Sequence, residues 1–184
     1  MSPTLAGPYL VAASAFALAI GLGTAAVAGE HGNDDDIAVE VLADRHTFTD
    51  EVGATITLDV DGLDRQVVEI DDASHMMIYE FTVAPGGMFP WHTHPGTSLA
   101  AVTKGEFTYI YAEDCVERTY EAGSSFVDPG FGNVHTAYNP SDEEDAVVIG
   151  VFIGLPEEAE VTDPVPEDEA AELDQRCGIE RPAA

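Results

Sequence analysis

Apolar and polar residues alternate along most of this chain with a period of two. Ala54, Ile56, Leu58 and Val60 interleave with Thr55, Thr57 and Asp59, the pattern of a strand buried on one face. Met77, Tyr79, Phe81 and Val83 fall on one face of a second long strand, which Pro85-Gly86-Gly87 ends. Short β-rich runs follow at Ser98–Thr103, Glu106–Tyr111, Ser125–Val127, Val134–Asn139 and Ala146–Ile153. Turn signals separate them: Lys104-Gly105, Ala122-Gly123, Asp128-Pro129-Gly130 and Asn139-Pro140-Ser141. Many short strands at such spacing predict an all-β sandwich or barrel, here over residues 37–155.

The two ends break this pattern. Leu10 to Gly23 is an apolar run, and Ala26-Val27-Ala28 has the small-x-small form of a cleavage site, so residues 1–28 read as an export signal. Met1 to Tyr9 contains no Lys or Arg, which leaves an uncleaved anchor open as the alternative. Residues 29–36 are a polar, flexible lead-in. Residues 156–184 form an acidic, proline-rich extension. Pro166 followed by Glu167, Asp168 and Glu169 suits a helix start, and Gly178 suits its end. Such a helix places Ala170, Leu173 and Cys177 on one face; a disordered tail is the alternative.

Composition sharpens this. The 184 residues are 45% hydrophobic, enough for a real core, and carry 35 acidic against 6 basic residues, a formal net charge of −29. Such a surface repels nucleic acid and anionic lipid, and suits a halophilic setting in which salt screens the self-repulsion. The only cysteines are Cys115 and Cys177. In an exported chain they read as a disulfide, and in a cytosolic one as free thiols.

His92 and His94, spaced i and i+2, project from one face of a strand and can aim two imidazoles at one point. His135 adds a third after Gly123 and Pro129, with Asn139 four residues later. Here the sequence resembles the cupin superfamily. Its first motif is matched by Gly86, His92, His94 and Gly105, and its second by Gly123, Pro129, His135 and Asn139. The resemblance implies a single double-stranded β-helix, or jelly-roll, barrel. It also implies one divalent transition metal (Fe, Mn, Zn, Ni or Cu) held by His92, His94 and His135. Two departures stand out. Ser98 occupies the position of the family's glutamate ligand, which leaves three neutral ligands and the full charge on the metal. The interval from Pro129 to His135 is one residue longer than the family pattern, which predicts a local bulge. Ser98, Met88, Tyr138 and Asn139 are expected around the metal or pocket, with Ser98 as a hydrogen-bond donor. Tyr109 and Tyr111 either line the pocket or pack. Trp91 should point away from His92. His31, His46 and His75 match neither motif and read as surface residues.

The chain contains no phosphate-binding glycine loop, nucleophile elbow or basic groove. Three readings remain: a metalloenzyme of dioxygenase or isomerase type acting on a small molecule, a non-catalytic module binding a small molecule or metal, and a structural protein. Family barrels often pair, so a homodimer is left open. The export reading places the protein outside the cytoplasm, with no membrane contact after signal cleavage.

Overall fold

The computed structural model describes residues 36–181; the export segment expected at 1–28 lies outside them. Two five-stranded antiparallel sheets face each other. One runs in the order β1 (Ile37–Thr47), β4 (His75–Val83), β11 (Ala146–Ile153), β6 (Thr97–Lys104) and β9 (Ser125–Asp128). The other runs β12 (Asp163–Pro164), β5 (His92–Thr93), β10 (His135–Tyr138), β7 (Glu106–Tyr111) and β8 (Glu117–Glu121). A separate hairpin joins β2 (Ala54–Leu58) to β3 (Gln66–Ile70). This is the all-β barrel expected from the alternation, in the jelly-roll form that the resemblance implied, with one short helix, α1 (Glu167–Cys177).

Period-two patterning sets the core. In β11 residues Ala146, Val148, Gly150 and Phe152 point inward, while their neighbours are half-buried. Ala146 and Val148 meet Ala100 and Val102 of β6 and, from the opposite sheet, Phe107 and Tyr109 of β7 and Ala137 of β10, while Phe152 packs with Met77 and Leu155. β1 follows a different logic. It lies at a sheet edge and buries only Ala43, leaving Val39, Val41 and Leu42 exposed. Register shifts after Val41 and Ala43, with a positive φ at Arg45, interrupt its pairing with β4.

The C-terminal extension is built onto the barrel. Helix α1 docks Leu173, flanked by Ala170 and Cys177, against Trp91 and Ile110. Trp91 is fully buried on the outer face of the barrel, and its indole N–H donates to Asp174 at 2.7 Å. The disulfide Cys115–Cys177 fastens the end of α1 to the β7–β8 turn. Three of the chain's six basic residues hold the same segment. Arg45 donates to the carbonyls of Pro156 and Ala159, Arg176 to that of Ala112, and Arg181 to that of Phe89. Among the described residues no helix is long and apolar enough to cross a membrane.

Candidate metal centre

His92 and His135 are paired residues of β5 and β10, and His94 lies just past β5. The strand geometry therefore brings all three imidazoles together, with ligand atoms within 4.8 Å of one another. All three rings are buried. Each ring is oriented by a backbone carbonyl. His92 Nδ1 donates to Pro90 at 2.7 Å, His94 Nδ1 to Val161 at 2.7 Å, and His135 Nδ1 to Asn133 at 3.1 Å. A carbonyl only accepts, so each Nδ1 carries a proton, and Nε2 is the atom left to present a lone pair to an ion. Burial pushes His92 well below the ordinary imidazole range, and the neighbouring His135 and His94 add to it. Burial also lowers His135, against the pull of Asp128. Neutral imidazoles with oriented Nε2 atoms are the donor set a divalent transition ion takes, so the residues present fit such an ion.

The sequence reading missed Asp128. This buried carboxylate ends β9 and places Oδ2 3.2 Å from Nε2 of both His94 and His135. Its other oxygen accepts the Gly130 amide at 2.8 Å. Burial alone would raise its pKa; His135, His94 and the Gly130 amide outweigh that and hold it at about 2. The sequence shows this residue only as the start of a turn. Its place at the site comes from the pairing of β9 with β6.

The extra residue before His135 is absorbed by three consecutive positive φ values at Gly130, Phe131 and Gly132. Glycine is required at 130, because a Cβ there would come within 1.9 Å of the Gly96 carbonyl. The same turn docks on the histidine strand through Phe131 N–H to the carbonyl of His94 at 2.7 Å.

A cavity of about 120 Å³ opens beside the histidines. Phe81, Phe89, Phe107, Phe126 and Phe152 line it, together with Ser98, Tyr109 and Asp128. Three expected pocket residues do not. Met88 bridges to Tyr138 outside the cavity. Tyr138 alternates outward from His135 and Ala137, and its hydroxyl donates to Glu117 at 3.1 Å. Asn139 is a buried corner clamp whose amide donates to the carbonyls of Val83, Ala84 and Glu144. Tyr109 does line the cavity. Its ring stacks on His135 with centroids 4.6 Å apart, and its buried hydroxyl has no partner among the described residues. Tyr111 instead donates to the Val127 carbonyl at 3.3 Å. A crevice of about 280 Å³ between α1 and the barrel, lined by Ala112, Val134 and Arg176 among others, contains none of the three histidines.

Residues 79–152 match the family model described as Cupin domain. Solved structures similar to the chain include a cupin-like protein from Thermotoga maritima, 23% identical over 77% of this chain and 90% of that one, with a TM-score of 0.46. KdgF from a Halomonas species is 16% identical over 70% of this chain and 87% of that one, with a TM-score of 0.45. A cupin superfamily protein from Desulfitobacterium hafniense is 10% identical over 67% and 83%, with a TM-score of 0.44. No curated protein matches the chain. Both histidine motifs lie inside the matched segment, so it is over these residues that the barrel is similar to a cupin domain.

Proposed function

We propose that this protein is an exported metal-dependent cupin in which His92, His94 and His135 hold one divalent transition ion and the adjoining cavity receives a small molecule for conversion. One observation carries the reading: three Nε2 lone pairs converge at the end of a small aromatic cavity, with every Nδ1 already committed to a carbonyl. A metal held there supplies a Lewis-acid or redox-active centre. The chain's own residues supply the rest. The five phenylalanines exclude water and favour a compact, mainly apolar molecule with a polar end toward the histidines. The Tyr109 hydroxyl, raised well above its usual pKa by burial, keeps its proton and can donate a hydrogen bond to the bound molecule.

Export rests on the Cys115–Cys177 bridge, which suits an oxidising compartment, together with the apolar run at the N-terminus. The net charge of −29 supports a high-salt setting. A second reading has a specific observation in its favour: with the three Nε2 atoms and Asp128 turned toward one another and Tyr109 holding its proton, the cavity offers a bound molecule no separate base, as a binding module would. Turnover of small oxygen-bearing aromatic and aliphatic compounds by metal-loaded protein, lost on chelation and restored by metal, tests the enzymatic reading. Tight binding without turnover would favour the module.

A further inference from the structure

We propose that Asp128 is the fourth protein ligand of the metal, a carboxylate relocated from the β6 position where Ser98 stands to the facing position on β9. This rests on the three-histidine reading of the site and deepens it.

The register carries the argument. Ser98 and Asp128 are direct partners across the antiparallel pair β6–β9. Directly opposed residues project on the same face with Cβ atoms about 5 Å apart. A carboxylate on β9 can therefore serve the point that one on β6 would serve. Ser98 lacks the reach and charge to do so, and its small side chain leaves room for Asp128 beside it.

The local chemistry agrees. Asp128 Oδ1 is fixed by the Gly130 amide, which leaves Oδ2 aimed at the histidines. The Nδ1 protons of His94 and His135 are spent on the carbonyls of Val161 and Asn133. Asp128 Oδ2 stands 3.2 Å from Nε2 of both His94 and His135. A carboxylate and two imidazole nitrogens so placed need positive charge among them, a proton or a metal ion, and the spacing fits a metal ion. Ligand atoms each about 2.1 Å from one ion stand about 3.0 Å apart at a right angle and about 3.4 Å apart in a tetrahedron. The observed separation falls between. The site is then three imidazoles plus one carboxylate, and a divalent ion in it keeps a net charge of +1.

The test is a chelator-competition titration with Zn²⁺ on the full chain, the Asp128→Asn variant, and the double variant Ser98→Glu/Asp128→Ala. Visible spectra of the Co²⁺-loaded proteins report on the ligand set itself. Asp128→Asn, which keeps the shape of the side chain, is expected to weaken Zn²⁺ binding at least tenfold and to alter the Co²⁺ spectrum. The double variant, with its carboxylate on β6, should recover affinity to within about threefold of the parent. Near-UV circular dichroism of the metal-free proteins checks that each is folded, and Asp128→Asn alone suffices if the double variant is not. Unchanged affinity in Asp128→Asn, or weaker binding with an unchanged Co²⁺ spectrum, overturns the proposal while leaving the three-histidine site standing. A parent protein that takes up no metal overturns both.

Discussion

The backbone carbonyl of Val161 accepts the Nδ1 proton of His94 at 2.7 Å, so a segment beyond the barrel sets the tautomer of a residue at its centre. That segment is pinned on both sides of the contact. Arg45 grips its start, β12 pairs with β5, and the Val165 amide donates to the Trp91 carbonyl at 3.0 Å. Farther along, α1 and the disulfide anchor it.

Removing the bridge should therefore weaken the fold and the site together. The cysteines are 62 residues apart, and by chain entropy a loop of that size contributes about 4 kcal/mol. The double variant Cys115→Ser/Cys177→Ser is expected to lose about 2–4 kcal/mol in denaturant unfolding and to bind metal more weakly than the parent. Equal metal affinity in the folded variant would show that the other contacts of the segment hold His94 unaided.

Replacing a histidine should act differently from replacing its serine neighbour. His92→Ala and His135→Ala are expected to abolish stoichiometric metal uptake, a loss beyond about 100-fold in affinity, whereas Ser98→Ala should retain most of it. Metal retained by both histidine variants would dissolve the assignment.

Acid should destabilise the metal-free protein through the same residues. His92 and His135 have lowered pKa values in the folded state. The unfolded chain takes up these protons near pH 6.5 while the folded protein resists them, so stability falls as pH drops below about 6.5. Asp128, depressed to about 2 from 3.8, adds stability that is present above 3.8 and lost as pH falls toward 2. Both effects run in one direction. Denaturant midpoints between pH 8 and pH 5, taken in molar salt to screen the general acidic charge, should decline below pH 6.5. A flat profile would mean that the buried imidazoles protonate freely in the folded protein.

Salt should stabilise the chain. A net charge of −29 on so small a protein repels itself across distances that about 1 M salt cuts to roughly 3 Å. The melting temperature is expected to rise steadily from low to molar salt, and a flat response would remove the high-salt reading.

These residues also show what a sequence can and cannot disclose. His92, His94 and His135 were legible because i, i+2 spacing and motif intervals are local properties. Strands β7 and β11 were legible to the residue, since glycine stands before the first and after the second, acidic turns bound their other ends, and one face of each is continuously apolar. β1 was not, because an edge strand that buries only Ala43 leaves no inward stripe to detect. The places of Met88, Tyr138 and Asn139 depend on how the chain turns into and out of β5 and β10, which parity counting across an interrupted strand does not fix. Asp128 reaches the site only through the register of β9 on β6. Val161 acts through its carbonyl, to which its side chain gives no clue.

The most direct test of the account is the metal content of the protein purified without chelator or affinity-column metal, in high salt. About one equivalent of a divalent transition metal per chain, lost in His92→Ala, is the expected result. No metal in the purified protein, and none retained after reconstitution, would contradict the metal centre and leave the three histidines as buried polar groups of the barrel.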